Sequence, residues 1–557
     1  MNYMKNYFKI AISFLLISVT GCSKLDQSLP GSLTNQQVSG ALGAAGVGLL
    51  LNGAYSDLGG PFTAQDLVFC LQENTTDEAL VPTRGGDWDD NGVWRVLHDH
   101  TWNADHAYVA NVFNSLNKIN FDATNVLGFS PTAQQAAEAK FLRAYALYFI
   151  MDLYGQFPFR NPGDNLLNAP EVKSGTAGAQ FIIDELTAAL PNLPTTGGPG
   201  RATQNACKTL LMRCYLNKGA WANRATPTFA DADMQQVITL GNQIISSGQY
   251  SYMSEYFRNF DANNGTSTEN IFTYVNTSGV GANNSGPHSF WCRTLHYNQE
   301  TSTNPNAGWN GFSTIAEFYN SFGAVTPMVG VTLFNGGNIS GRYADTAVDL
   351  RIGGRYYVGV TNASGQRPGF MIGRQYNENN TPLNDRIGAP LAFDPKIALN
   401  QKEIGANKEV TGIRVEKYPP DFTNGSTYYQ SNPGNDVVLL RYSDVVLMVA
   451  EAKLRAAAPD PVGARTMVNT LRAARGAAPM ATLPLANPAN PSDPGTLIAE
   501  RGRELYWEGV RRTDMIRFGI YLLPRQLKPT DNPRYLLFPV PAAALGSNPN
   551  LTQNPGY

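Results

Sequence analysis

Residues 500–519, with the sequence ERGRELYWEGVRRTDMIRFG, decide the fold of this chain. The spacing of apolar and charged residues predicts one helix over residues 497–518. Glu500, Glu504 and Glu508 recur every four residues, so they line one face of that helix. Carboxylates on one face are compatible with a catalytic pair or with structural ion pairs.

Bases at ion-pair spacing favour the structural interpretation. Glu508 lies three and four residues before Arg511 and Arg512, and Asp514 lies three residues before Arg517. Acids and bases that alternate in this way neutralise one another along a helix. The stretch therefore predicts a charge network that holds the fold, and we assign it no catalytic residue.

Further helical patterns occupy both ends of the chain. The clearest begins at Ser130-Pro131 and ends before Gly155, and it is apolar over more than half its girth, so it must pack on two neighbours. Other helices are predicted at residues 105–119, 176–190, 203–217, 231–247, 443–456 and 461–475. Helix pairs of this length predict a mainly α fold, a tetratricopeptide-like superhelix.

The helical pattern is interrupted in the middle of the chain. Residues 248–435 are dense in Gly, Asn, Ser, Thr and Pro, with short apolar runs such as residues 271–275 that suit minor β structure. Loops this long are usually functional or disordered, and the many aromatic residues here argue for order. We expect one unit over residues 35–557, with a helical frame at about 35–247 and 436–557 and a loop-rich, ligand-binding insertion at about 248–435.

The first 22 residues predict a lipoprotein signal peptide. Two lysines precede an apolar run at residues 10–19, which is too short to span a membrane. Residues 18–22, SVTGC, resemble a bacterial lipobox that ends at Cys22. An acylated Cys22 would anchor the protein to a membrane without crossing it, and residues 23–34 would form a polar tether.

The composition favours a neutral polar ligand. Charged residues make up 15% of the chain and the net charge is −2, whereas nucleic-acid binding requires a basic surface. No phosphate loop and no Gly-x-Ser-x-Gly elbow occurs in the sequence. We therefore expect no nucleic-acid partner and no cofactor.

Several segments together resemble the SusD/RagB family, outer-membrane lipoproteins of Bacteroidetes. Ser443 stands where the family usually has alanine in its Arg-Tyr-Ala-Asp helix. The matching segments are AKFLRAY at 139–145, LYGQFP at 153–158, RAT at 201–203, LRYSDVVLMVAEA at 440–452, residues 500–519 and the tail NPNLTQNPGY at 548–557.

This resemblance implies a function. Members capture nutrients at the cell surface beside a SusC-like TonB-dependent transporter and act as a lid on it, without covalent chemistry. The expected ligand is an oligosaccharide, and the RagB branch suggests an oligopeptide as the alternative. A surface glycosidase and a purely structural lipoprotein are the competing classes, because paired glycosidase carboxylates leave no reliable linear signature.

Five residues are candidates for ligand binding. The family uses an acidic residue, an arginine and a tryptophan from an early segment, and Asp77, Arg84 and Trp88 occupy positions of that kind. Trp88 lies between acids and glycines, where burial is hard to arrange. Trp291 and Trp309, in the loop-rich region, offer further flat rings for stacking on a ligand.

A calcium site is the alternative for the acidic loop around Trp88. Asp87, Asp89 and Asn91 match the first half of a calcium-binding loop. The twelfth position, which should be a bidentate glutamate, is His98. We therefore expect no metal, with a solvated turn as the simpler interpretation.

Overall fold

The computed structural model describes residues 35–277, 289–299, 308–322, 349–353, 368–375, 381–405, 408–421, 433–529 and 531–557. The predicted signal peptide, Cys22 and the tether lie outside these residues. Within them, every helix is too short or too polar to span a bilayer.

Helices dominate both ends of the chain, and short strands lie mainly between them. The helices are α1 (Asn35–Ser56), α2 (Gly59–Thr63), α3 (Val68–Glu73), α4 (Arg95–His98), α5 (Ala107–Gly128), α6 (Ala133–Tyr154), α7 (Gly175–Ala189), α8 (Gln204–Ala222), α9 (Asp231–Ser246), α10 (Ser289–Cys292), α11 (Ala316–Asn320), α12 (Tyr442–Arg455), α13 (Pro461–Ala474), α14 (Leu497–Leu505), α15 (Arg511–Arg517) and α16 (Ala542–Ser547). The strands are β1 (Thr83–Arg84), β2 (Gln156–Phe159), β3 (Glu171–Ser174), β4 (Asn270–Tyr274), β5 (Gly369–Met371), β6 (Gly373–Arg374), β7 (Ala392–Phe393), β8 (Lys402–Glu403), β9 (Arg414–Glu416) and β10 (Val437–Arg441).

Successive helices pack on one another in chain order. From α5 to α9 each helix contacts the next, and α12 then packs against α9 and α13 against α12. The helical stack therefore resumes after the interruption, because α12 packs on α9, the last helix before the insertion. The predicted mainly α architecture of tetratricopeptide-like pairs with minor β structure is confirmed.

The central helix α6 shows how closely local signals set the boundaries. Gly155 ends it with φ of +73°, as predicted, because glycine adopts this left-handed conformation without strain. Its predicted start at Ser130-Pro131 is wrong by about two residues. Thr132 is the N-cap instead, since its hydroxyl accepts from Gln135 N–H and the Gln135 side chain accepts from Thr132 N–H.

The two ends of the loop-rich insertion lie side by side at the helical stack. Strands β4 and β10 pair antiparallel, with Val437 opposite Tyr274 and Arg441 opposite Asn270. This pairing brings the two ends of the insertion together directly before α12. Each sheet within the described residues contains two strands, so the insertion is held largely by side chains.

The single helix predicted over residues 497–518 is wrong. It is divided into α14 and α15 by an unwound turn in which Trp507 and Gly509 have φ of +59° and +74°. The backbone N–H of Trp507 donates to Glu78 at 3.0 Å, and that of Gly509 donates to Glu73 at 2.6 Å. These carboxyl groups replace the helical carbonyls as acceptors, and Trp507 is buried against the core.

A buried ion-pair network surrounds α14. The Glu504 carboxylate accepts from Arg441 and Arg475 at 2.7 Å each and from Arg351 at 3.2 Å, and all four side chains are almost fully buried. The charge network predicted from the sequence is therefore present. Burial alone would raise the pKa of Glu504, but the three guanidinium groups lower it below its usual value.

The individual partners differ in part from those predicted. Asp514 pairs with Arg517 at 2.6 Å, as predicted. The pairing of Glu508 with Arg511 or Arg512 is wrong: Glu508 accepts from Lys417 and Arg441, each at 2.7 Å. The turn between α14 and α15 points the side chains in new directions, so helical spacing no longer applies.

We expect Glu504→Gln to lower the free energy of unfolding by about 3–5 kcal/mol, the usual cost of removing one member of a buried ion pair. The three guanidinium groups would stay buried with one counter-charge fewer among their carboxylate partners. Urea denaturation followed by circular dichroism measures the change. Glu171→Gln is the matched control, because Glu171 is 73% exposed and pairs only loosely with Lys173 at 3.9 Å; it should cost about 0.5 kcal/mol or less. Equal effects of the two substitutions would contradict the role of the network.

We also expect stability to fall in acid. Burial opposes ionisation of Asp444, Glu451 and Glu500, but neighbouring arginines outweigh it and lower each pKa to about 2. In the unfolded chain these carboxyls titrate near 4, so the unfolded state takes up protons first as pH falls. Their contribution is complete above about pH 5 and is lost as pH falls toward 2. The loss between pH 6 and pH 2.5 should be at least ~3 kcal/mol by urea denaturation at each pH.

Glu451→Gln should flatten this acid dependence, because one titrating carboxyl is removed. Glu73→Gln should not flatten it. Burial raises the pKa of Glu73 to about 7, so protonation of this carboxyl favours the folded state as the pH falls. An unfolding free energy that does not change between pH 6 and pH 2.5 would contradict the predicted contribution of the arginine-paired carboxylates to stability.

Candidate functional site

A two-residue hairpin presents the first candidate residues. Arg84 N–H donates to the Asp87 carbonyl at 2.8 Å, and Asp87 N–H donates back to the Arg84 carbonyl at 3.2 Å. Gly85 and Gly86 form the turn, and Gly85 has φ of +68°, as tight hairpins require. Asp87 and Trp88 follow the turn at a partly exposed edge that borders the insertion.

Trp88 is half-buried, and its ring is held in one orientation. It packs edge-on against Trp94 and Phe312, with ring centroids 5.6 Å apart in both pairs. Its indole N–H donates to the Trp309 carbonyl at 2.7 Å. A Cβ at Gly311 would lie 2.5 Å from the ring, so only glycine leaves room for it there. Trp88 thus combines a packing role with a partly exposed face.

Arg84 lies fully buried beneath this hairpin. Its guanidinium donates to the Ser313 and Thr411 hydroxyls at 2.9 and 3.0 Å and to the carbonyls of Gly311 and Lys408 at 3.3 and 3.2 Å. Burial lowers its pKa to about 10. Arg84 therefore fastens three loops together below the surface and does not face solvent.

An exposed ion pair lies beside the hairpin. The Arg386 guanidinium donates to Asp87 at 2.6 Å and lies 3.9 Å above the centre of the Tyr297 ring. The Tyr297 hydroxyl donates to the same Asp87 carboxylate at 2.8 Å. Partial burial raises the pKa of Asp87, but the bonds from Arg386 and Tyr297 outweigh it and lower the pKa below its usual value. Asp87 and Arg386 are 41% and 43% exposed, so a ligand can reach both.

A buried acid supports Arg386 from below. Glu409 accepts from Arg386 Nε at 2.6 Å and contacts His296 Nε2 at 3.0 Å. Burial lowers the pKa of His296 to about 4, so the imidazole is neutral and donates to the carboxylate. These bonds outweigh the burial of Glu409 and lower its pKa. The arrangement fixes the plane of the Arg386 guanidinium.

The two later tryptophans occupy different layers. Trp309 is partly exposed, and its carbonyl receives the indole N–H of Trp88. Trp291 is completely buried, packed with Leu295, Leu391 and Phe393 beneath Trp309. Trp291 therefore supports the ring above it and presents no face to solvent.

Asp77 is not brought to this edge. Both of its carboxylate oxygens accept from Arg511, at 2.8 and 2.6 Å, which ties the start of α15 to the segment after α3. Burial would raise the pKa of Asp77, but Arg511 lowers it. Its place in the structure is within the helical frame.

Two carboxylates of the acidic loop around Trp88 pair with arginine side chains of the protein. Asp87 pairs with Arg386, and Asp89 accepts from Arg95 at 2.8 Å. Asn91 has φ of +55° and continues the tight turn. Among the ranges described above, no three His, Cys, Asp or Glu side chains converge as a metal site. The loop is thus built by ion pairs.

Three partly exposed aromatic residues lie at this edge: Trp88, Tyr297 and Trp309, here called the aromatic rim. Sequence reasoning selected Trp88 and Trp309 and did not select Tyr297. It missed Arg386, which lies 299 positions from Asp87 in the chain. No local motif marks Arg386, so only the folded structure shows the pairing.

Comparison with known proteins gives a consistent result. Residues 246–529 match the model of the SusD family. The starch-binding protein SusD of Bacteroides thetaiotaomicron is 24% identical over an alignment that covers 100% of this chain and 99% of that protein.

Solved structures share the fold along nearly the whole chain. A SusD superfamily protein of Parabacteroides distasonis superposes with a TM-score of 0.64 at 18% identity, covering 94% of this chain and 100% of that one. A laminarin-binding SusD-like protein superposes with a TM-score of 0.65 at 18% identity, covering 92% and 99%. With more than half of its length matched by the family model and the same helical architecture throughout, this chain belongs to the SusD family.

Proposed function

We propose that the protein binds neutral oligosaccharide at the cell surface and delivers it to a SusC-like TonB-dependent outer-membrane transporter. The observation that carries this proposal is the aromatic rim next to the exposed Asp87–Arg386 pair. Flat rings stack on the apolar faces of sugar rings, and fixed polar groups bond the hydroxyls. Starch binding and laminarin binding in the two relatives named above support the same ligand class.

The electrostatics of the rim support binding without chemistry. A glycosidase needs one carboxyl whose raised pKa keeps it protonated as a general acid. At the rim, the hydrogen bonds from Arg386 lower the pKa of both Asp87 and Glu409. Both groups are therefore hydrogen-bond acceptors at neutral pH. Asp87, the exposed one of the two, can accept from sugar hydroxyls, and neither group suits proton donation.

Oligopeptide is the second candidate ligand. The exposed Arg386 guanidinium is a donor for carboxylates, and its neighbour Ile387 is 61% exposed, which would suit an apolar side chain. Isothermal titration against a panel of maltooligosaccharides and laminarin oligosaccharides, with a peptide pool alongside, decides between the two. Binding of peptides alone would overturn the carbohydrate proposal.

We expect Tyr297→Ala to weaken oligosaccharide binding about tenfold or more, because it removes one ring of the rim and the support beneath Arg386. Tyr297→Phe is the matched control: it keeps the ring and loses only the hydroxyl that donates to Asp87. Its affinity should lie between those of the wild type and Tyr297→Ala. Unchanged affinity for the alanine variant would remove Tyr297 from the ligand site.

Trp88→Ala belongs to the same titration and requires a folding control. Because Trp88 packs on Trp94 and Phe312, its removal should also cost about 1–3 kcal/mol of stability, less than for a fully buried tryptophan. Affinities are therefore compared at a temperature where circular dichroism shows each variant folded. Trp309→Ala should likewise weaken binding.

Membrane anchoring through Cys22 is part of the proposal. Several acyl chains at one residue hold a protein firmly, whereas a single chain binds marginally. We expect Cys22→Ala to move the full-length protein out of the outer-membrane fraction, and Ser23→Ala to leave it there. A tagged wild-type protein should co-purify with a TonB-dependent transporter from its own membrane. A Cys22→Ala protein that stays in the membrane fraction would refute the anchor, and the absence of any transporter would refute the delivery step.

A further inference from the structure

A separate groove of about 790 Å³ lies between α5, the loop that joins β2 to β3, and the C-terminal segment around α16. It shares no lining residue with the aromatic rim. Its volume is within the range of about 300–1,000 Å³ typical of small-ligand sites. The groove is thus a second place where a ligand can be held.

One face of α5 forms the first wall. Asn114, Asn117, Phe121 and Asn125 line the groove, and their spacing of three and four residues places them in one stripe along the helix. Asparagine is a poor residue for helix interiors, where alanine, lysine and glutamate are better helix formers. Phe121 lies in the same stripe with 44% of its surface exposed. This stripe has the character of a binding surface and is unusual for a solvated helix face.

The opposite wall is the β2–β3 loop, residues 160–170, which is longer than most hairpin loops. Arg160 holds its shape from within, because its guanidinium donates to the carbonyls of Asn165 (3.0 Å), Leu166 (3.3 Å) and Asn168. A loop whose carbonyls converge on one guanidinium is fixed before any ligand arrives.

Both ends of this loop are attached to the walls beside it. Asn120 of α5 donates to the Pro158 carbonyl at 3.1 Å. Asn548 and Asn550, in the C-terminal segment, donate to the Pro170 carbonyl at 3.2 and 2.9 Å. The groove is therefore preformed, which lowers the entropic cost of binding.

The charged side chains of the groove are hydrogen-bonded within the loop. Arg160 is occupied by the loop carbonyls, and Asp164 accepts from the backbone N–H of Asn161 at 2.7 Å. The polar groups that remain for a ligand are carboxamides and hydroxyls, and the rings of Phe121 and Phe129 add flat apolar surface. Carboxamides pair a donor with an acceptor, as sugar hydroxyls do.

We propose that this groove is a second binding site for a neutral saccharide, independent of the aromatic rim. The charged side chains among the described lining residues are Arg160 and Asp164, one of each sign, so the groove offers a charged ligand no net counter-charge. A neutral sugar would place its apolar face on Phe121 and bond its hydroxyls to Asn114 and Asn125, while Asn117 donates to the Phe113 carbonyl at 2.9 Å. The protein would then hold one glycan chain at two separated points, or two chains at once.

Hydrogen–deuterium exchange on the full-length protein tests the proposal at the level of segments. The protein is prepared in a detergent without a sugar headgroup and exposed to millimolar maltooligosaccharides, laminarin oligosaccharides or a peptide pool. With a saccharide that binds, we expect slower exchange in peptides covering residues 111–129 and 160–170. The protection should persist in Tyr297→Ala, since that substitution affects only the rim.

The asparagines of α5 supply a matched pair of variants. Asn114→Ala removes an amide that lines the groove, and Phe121→Ala removes the ring, so each should reduce the protection at least fivefold. Asn111→Ala changes the same residue type on the same helix, exposed and outside the groove, and should leave it unchanged. Alanine is the better helix former at both positions, so lost binding cannot be attributed to a weakened helix.

Each outcome bears on one of the two sites. Protection of the groove that survives Tyr297→Ala supports the second site even if the rim binds nothing. No protection by any saccharide, protection by peptides alone, or equal loss in Asn111→Ala and Asn114→Ala would overturn it.

Discussion

A single buried carboxylate, that of Glu504, holds together three segments that are separated in the sequence. Its three arginine partners come from different segments: Arg351 from the insertion, Arg441 from the end of β10 and Arg475 from the end of α13. Buried ion pairs add little stability over a well-packed apolar core, yet removing one partner is costly. The network therefore serves chiefly to fix geometry, because the helices that follow the insertion can dock only where the guanidinium groups converge.

The loops around the aromatic rim use arginines in another way. Arg84 and Arg414 are fully buried near the rim, and their hydrogen-bond partners are hydroxyls, carbonyls and the side-chain amide oxygen of Asn310. Loops without regular sheets leave many backbone carbonyls unpaired, and buried carbonyls must find donors. A guanidinium offers five, so one side chain can satisfy several loops at once. This explains how an irregular region becomes rigid enough to hold Trp88 and Trp309 in fixed orientations.

The sequence predicts the helical frame well because each helix carries its own signals. Gly155 marks an end, and apolar periodicity marks the buried faces. The prediction from sequence fails at Trp507 and Gly509. The acceptors that unwind this turn, Glu73 and Glu78, lie more than four hundred residues earlier. The same limit applies to the site. Trp88 could be selected from its neighbours, whereas the partnership of Asp87 with Arg386 depends on contacts between remote loops.

The placement of charge also explains why a protein of this kind suits neutral ligands. Only 15% of the residues are charged, and many of these are enclosed in the frame, as Glu504 and its arginines are. The surface is therefore poorer in charge than the composition alone indicates. At the rim the charges of Asp87 and Arg386 offset each other, and in the groove Arg160 is directed to carbonyls. Long-range electrostatic steering of the ligand therefore contributes little to its capture. Recognition depends on ring faces, amides and hydroxyls held at fixed positions, and these groups act only at contact distance.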